Sequence, residues 1–370
     1  MLDNSQRSTG HERVYKSACH VSVMDIRFGC FFPVRTLRLD LMFEEAQMAE
    51  RCGFESLWFP DHLSMIRPVG TVYEAFMSLT ALAFKTQRAK LCSAVSDPHR
   101  RHPALMAQTL ATLDVISNGR VMFGIGAGEA MNLDMYGFDK SKPVSKMEEY
   151  IEIMRRLWRE DKVTYKSEFY NLKDAFLQVK PVQEKIPIYI AANGPRTRQL
   201  TGRIGDGWIP LYESPKMYEK HLRDVEKGTK EAGRSIEEID TAYFCRTAIA
   251  EDFETALNRV KKFKANYLSA PKKLNEAYGL KLPKELSLYY FTGSEQDMAN
   301  IQKYLSDVPD NVSADFNIIG TLDQVMDQIE AFIKAGVRHF SLLNRGPDPN
   351  KVYETYRDKI IPYFREQISS

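Results

Sequence analysis

The chain has 370 residues, 44% of them hydrophobic, and its 51 basic residues nearly balance its 49 acidic ones, for a formal net charge of +2. That length allows one large domain or two modest ones. So even a charge gives no global attraction to nucleic acid or an anionic membrane, and neither is an expected partner. Five scattered cysteines (Cys19, Cys30, Cys52, Cys92, Cys245) make no CxxC pair, which fits thiols in a reducing cytoplasm and argues against a structural metal. No apolar run reaches the roughly 18 residues of a membrane span. Residues 1–23 are polar and lack the apolar core of a signal peptide, so they read as a flexible extension ahead of a single domain over 24–370.

In chain order, 23–32 is a β-type run closed by Pro33. Residues 38–52 carry helical spacing at Leu39, Leu41, Met42, Ala46, Ala49 and Cys52, with Gly53 as the stop. A second strand covers 55–62, a second helix 72–86 and a third strand 89–95. Pro103 then opens a helix whose buried face is expected at Leu105, Met106, Leu110, Leu113 and Ile116, ended by Asn118-Gly119. Strand four is 120–126. Ser145 and Glu148 have capping-box spacing ahead of a stripe from Met147 to Trp158. Residues 163–180 alternate as a hairpin excursion. Strands five, six and seven fall at 186–192, 207–211 and 240–250, with helices at 215–232 and 253–266. Residues 268–316 break the rhythm as an insertion. A helix at 321–336, strand eight at 338–344 and a helix at 349–367 close the chain.

Eight strands alternating with helices predict an α/β fold, a parallel (β/α)₈ TIM barrel with an insertion before the last βα unit. The single glycine cluster, Gly124 to Gly128, follows strand four and does not complete GxGxxG, which argues against an open dinucleotide-binding sheet.

In a barrel the site is built at the C-terminal strand ends. Strand two ends in Asp61-His62, strand three in Ser96-Asp97-Pro98-His99-Arg100-Arg101-His102, and strand four in Gly126-Ala127-Gly128-Glu129 followed by Asn132. Strand five ends in Ala192-Asn193-Gly194-Pro195. His62 titrates near neutrality and can move a proton. Glu129 is a second titratable group on a nearby strand end, and two such groups in one cleft make an acid and a base. The glycine run offers bare backbone to a flat ring. The Asn193-Gly194-Pro195 turn opens a helix whose free N–H groups can hold a phosphate, with Arg196 and Arg198 adding charge.

The stretches 57–62, 94–132 and 181–209 together resemble the bacterial-luciferase-like superfamily. Within it they resemble the branch that uses coenzyme F420, a deazaflavin hydride carrier. The resemblance spans Met24 to Phe364. It implies a coenzyme F420-dependent oxidoreductase moving a hydride between the deazaflavin and a small organic substrate, of carbonyl, alcohol or methylene-pterin type. The alternative is an FMN-dependent monooxygenase on the same barrel. By the same resemblance, Asp61, His62 and Glu129 are catalytic. Asp61, Ser93, Ala94, Val95, Ser96, Gly126, Ala127, Gly128, Asn132, Ala192, Asn193, Gly194 and Pro195 line the cofactor, a non-prolyl cis peptide falls at Ser93-Ala94, and a homodimer is expected. The chain departs from the sugar-phosphate members, which have a Trp near Met65 and Ile66 and an acid after strand one. Its expected rim of Phe31, Phe32, Met65, Ile66, Met131 and Tyr136 suits an apolar or aromatic substrate.

Overall fold

The computed structural model describes residues 26–33, 38–65 and 71–369; the expected extension over 1–23 and the rim position Ile66 lie outside them. Eleven strands follow in chain order: β1 (Arg27–Phe31), β2 (Ser56–Phe59), β3 (Lys90–Ser96), β4 (Val121–Gly126), β5 (Val163–Lys166), β6 (Asn171–Ala175), β7 (Ile188–Ala191), β8 (Gly207–Trp208), β9 (Asp240–Ile249), β10 (Ile318–Gly320) and β11 (His339–Asn344). Eight of them form one parallel ring, β1-β2-β3-β4-β7-β8-β9-β11, closed where β8 pairs with β9 and β11 with β1. This is the predicted (β/α)₈ barrel. β5 and β6 form the antiparallel hairpin expected after strand four. β10 was not foreseen; its three residues pair with Thr247–Ile249, where β9 runs on past the ring.

Strand residues of one parity point into the ring and those of the other into the helical shell. Inside lie Trp58, Cys92, Met122, Tyr189 and Ala242, with Phe31, Ala94, Val95, Ala191 and Phe244 packed on them toward the C-terminal end. Below them a polar network crosses the ring floor. His339 joins Ser56 (2.7 Å) and Asp240 (2.8 Å), and Asp240 also takes Arg27 (2.8 Å) and the Tyr189 hydroxyl. A cavity of about 450 Å³ lined in part by Arg27, Ser56, Lys90 and His339 opens at that N-terminal end.

Two local expectations fail. The helix after strand four begins at Pro143 behind Lys142 and has no side-chain cap. Proline at the first helical position starts it three residues early, with Lys142 rather than Ser145 before it, so Ser145 lies inside the first turn, where its Oγ accepts from Arg196 Nη2 at 2.9 Å. Along the helix Pro103–Ser117 the buried face includes Met106, Ala107, Leu110, Ala111 and Leu113, whereas Leu105 and Ile116 are exposed. Between β9 and β10 short helices gather a second apolar cluster, including Tyr267, Leu274, Leu286 and Phe316, onto Tyr212 of the loop after β8.

Candidate active site at the C-terminal mouth

The run "SDPHRRHP" (96–103) closes around one buried carboxylate. The Asp61 carboxylate accepts from Ser96 Oγ (2.7 Å) and Arg101 Nη1 (2.8 Å) and is ion-paired with Arg100 Nη2 (2.9 Å), which donates to the Asp61 carbonyl (2.8 Å). Asp97 pairs with the Arg100 Nε and accepts from the backbone N–H of His99 and Arg100. Asp61 and Arg100 have side chains only 2% and 5% exposed. Buried carboxylates demand such partners, and proline at 98 and 103 fixes the backbone that delivers them. The loop is braced from outside by Tyr170 of the hairpin, whose hydroxyl donates to the Pro98 carbonyl at 3.3 Å. Burial lowers the His99 pKa, with Lys146 adding to that and Asp97 opposing it, so the ring is neutral at pH 7. Its Nε2 lies 3.2 Å from the Ala127 carbonyl.

β3 bulges as it enters this loop. Ser93 pairs with Phe123 but Ser96 with Ile125, so β3 spends one extra residue. The cis peptide lies at Ala94–Val95, one bond beyond the expected Ser93-Ala94. Gly124 answers the bulge, because a Cβ there would stand 2.1 Å from the Ser93 carbonyl oxygen and 2.8 Å from Val95. That glycine therefore serves strand packing; it is not bare backbone for a ring. Gly128 has φ +89 and faces Leu133 and His99. Ala94, Val95, Ala127, Gly128 and Ala191 are all half-buried around the mouth, a shelf of small side chains.

Beside the shelf stands a polar trio. Asn132, in the short helix Ala130–Leu133, accepts at Oδ1 from the backbone N–H of Leu63 (2.8 Å) and Ser64 (3.1 Å). Those two bonds fix the amide's orientation. Its Nδ2 then donates to His62 Nδ1 (3.0 Å) and to Glu129 Oε2 (3.2 Å). His62 Nδ1 and Glu129 Oε2 are 3.6 Å apart, and both side chains keep some exposure, 14% and 27%. Since Nδ1 accepts, the neutral imidazole carries its proton on Nε2.

Across the mouth, Gly194 is the uncapped N-cap of the helix Pro195–Ile204, with open space beside it. Asn193 Oδ1 accepts from Leu211 N at 3.1 Å. Arg198 braces the turn through the Asn193 carbonyl (2.8 Å) with its charge paired to Asp224 (2.7 Å), and Arg196 reaches Ser145 instead. Ala192 is buried, its carbonyl accepting from Trp208 Nε1. Of the expected rim, Phe32 is fully buried and Met131 nearly so, because Phe32 falls on the opposite parity from Phe31 and packs by Phe59. Phe31 instead meets Phe244, ring centroids 4.3 Å apart. Phe244 and Arg246, alternate inward positions of β9, were missed by the sequence reading; the signal was the period-two alternation of "AYFCRTA" (242–248).

The shelf of small residues and the uncapped helix terminus fit a flat cofactor with an anionic tail. The chain matches the luciferase-like monooxygenase family over residues 26–339, and it belongs to that family. It is 30% identical over 330 residues to the F420-dependent glucose-6-phosphate dehydrogenase of Microbacterium testaceum, covering 87% of this chain and 92% of that one. It is 31% identical over 323 residues to the 5,10-methylenetetrahydromethanopterin reductase of Archaeoglobus fulgidus, covering 85% and 93%. A solved F420-dependent secondary alcohol dehydrogenase, in complex with an F420-acetone adduct, superposes with a TM-score of 0.78 at 26% identity, covering 90% of this chain and 98% of that one.

Proposed function

We propose that this member of the luciferase-like family is a coenzyme F420-dependent oxidoreductase, and that its substrate is a carbonyl compound or the corresponding alcohol. The family and the F420-dependent relatives support the cofactor. The observation that carries the site is the Asn132 amide joining His62 and Glu129 beside the shelf. Ala94, Val95, Ala127, Gly128 and Ala191 would hold the ring, and the Gly194 helix terminus its anionic tail.

When bound, the coenzyme supplies or accepts the hydride. The chain's own task is to place the substrate and manage one proton. In its protonated form His62 donates Nε2–H to the substrate oxygen and gives up that proton as the oxygen gains electrons, leaving a neutral ring whose remaining proton sits on Nδ1, 3.6 Å from Glu129 Oε2. In the alcohol direction Nε2 takes the proton back. Glu129 supplies negative charge next to the ring, which favours the imidazolium when it forms. Phe31 and Phe244 offer an apolar wall to the substrate body. Asp61, buried under two arginines, holds the loop that carries His62. A panel of ketones and secondary alcohols, followed through the deazaflavin's visible absorbance, tests the substrate class. Turnover with none of them, alongside turnover of a methylene-pterin, would refute it.

The same reading makes the protein a cytoplasmic homodimer. Cys30, Cys52, Cys92 and Cys245 are free and buried, as suits a reducing compartment. Met77 and Phe84 on the helix Ala75–Lys85 are 73% and 72% exposed, and Leu105, Val115 and Ile116 on the neighbouring helix are exposed too. An apolar face with so little charge suits a second copy of the chain. Light scattering on the purified protein reads this directly, and a monomer at micromolar concentration would overturn it.

A further inference from the structure

β9 turns Ala242, Phe244 and Arg246 inward in succession. The first two pack in the apolar ring interior; the third places a charge at the mouth. Arg246 is 5% exposed, its Nε has no hydrogen-bond partner, and none of the ion pairs formed by the described residues includes it. Its guanidinium lies 5.0 Å from the centroid of Phe263 and 5.8 Å from that of Tyr267. Two more cations share the Phe263 ring, Arg345 at 4.8 Å and Lys262 at 5.4 Å. The titratable neighbours are few. Burial raises the Tyr212 phenol, with Arg246 opposing the rise through its charge and a side-chain hydrogen bond, so at pH 7 the guanidinium's partner there is a neutral hydroxyl. Glu45 feels Arg345 from the outer side.

A buried guanidinium without a carboxylate is costly. Stacking on a phenyl ring offsets only part of that. Around the ring β9 stands four strands from β3 in either direction, so Arg246 faces the bulge at Ala94–Val95 from the far wall, with Phe31 and Phe244 between. We propose that Arg246, stacked between Phe263 and Tyr267, is a subsite for an anionic group of the substrate: a carboxylate, sulfonate or phosphate at the end of an apolar or aromatic body. The substrate's reacting carbon would then lie over the shelf while its acid end is held across the mouth. This deepens the proposed function and rests on it for the word substrate.

The test uses the full-length protein without coenzyme and inorganic phosphate as the probe, by calorimetric titration. Wild type binds phosphate in roughly the millimolar range, Arg246→Met weakens it about tenfold or more, and Arg246→Lys, which keeps the charge, stays within about threefold of wild type. Circular dichroism confirms that both variants are folded. Coenzyme F420 affinity, titrated separately, stays within about twofold in both variants. Equal phosphate binding by wild type and Arg246→Met overturns the subsite. A parallel loss of coenzyme affinity in Arg246→Met assigns the anion to the coenzyme and overturns the substrate role. Absence of coenzyme binding by wild type refutes the cofactor reading instead, while the phosphate comparison still decides the subsite.

Discussion

The Asn132 amide nitrogen lies 3.0 Å from His62 Nδ1, while the Asn132 oxygen is committed to two backbone N–H groups. The asparagine therefore chooses which nitrogen of the histidine faces the mouth with a proton. Removing the histidine removes the proton donor, so His62→Ala and Glu129→Gln should each lower turnover by about 10²–10⁴ with little change in coenzyme affinity. Asn132→Asp is the sharper variant. It puts a carboxylate beside Nδ1, which favours the imidazolium and should move the histidine-dependent limb of the kcat/KM profile to higher pH. Asn132→Ala should lower kcat without that upward movement. Wild-type turnover in both His62→Ala and Glu129→Gln would remove the pair from the mechanism.

Ala94 is half-buried on the shelf beside Val95. A phenyl group there would fill the space proposed for the ring. Ala94→Phe should abolish deazaflavin binding while circular dichroism and the thermal transition stay near wild type. Retained micromolar binding would place the ring elsewhere.

Arg100 serves Asp61 and Asp97 at once inside the β3 loop. Arg100→Met leaves Asp97 buried without its cation and takes one of two from Asp61, at a cost of about 3–5 kcal/mol. Denaturant unfolding reads this as a lower midpoint with unchanged slope. A loss below about 1 kcal/mol, the value of an exposed pair, would mean that the cluster is solvated.

Burial pushes the Asp240 carboxyl up, but His339, Arg27 and Tyr189 outweigh that and hold it at about 2. A carboxyl depressed in the folded state adds stability above its unfolded value, near 3.9, and loses it as pH falls toward 2. Unfolding free energy should therefore drop by roughly 2–3 kcal/mol from this group over that window. Asp240→Asn, measured by urea unfolding at several acidic pH values, should flatten that part of the profile. An unchanged profile would sink the assignment.

Much of this was legible in the sequence because the barrel's signals are local: period-two apolar runs, Pro103 opening one helix, Gly194-Pro195 opening another. The strand ends carrying His62, Glu129 and Asn132 could be read as one rim. Which partner each would choose could not. Asp61 and His62 are adjacent in sequence, yet Asp61 turns to Arg100 and Arg101 while His62 turns to Asn132. Exposure on the helix Pro103–Ser117 depends on what covers it, and Leu105 and Ile116 obey the helical period without being buried. Arg246 was hidden because a lone arginine in a strand says nothing until the ring supplies its neighbours.

Titration of the purified chain with coenzyme F420 and, separately, with FMN, read by absorbance and fluorescence, tests the central claim most directly. Coenzyme F420 should bind with a Kd of about 1 μM or tighter, near −8 kcal/mol, and FMN more weakly. Tight binding of FMN with none of coenzyme F420 would contradict the account.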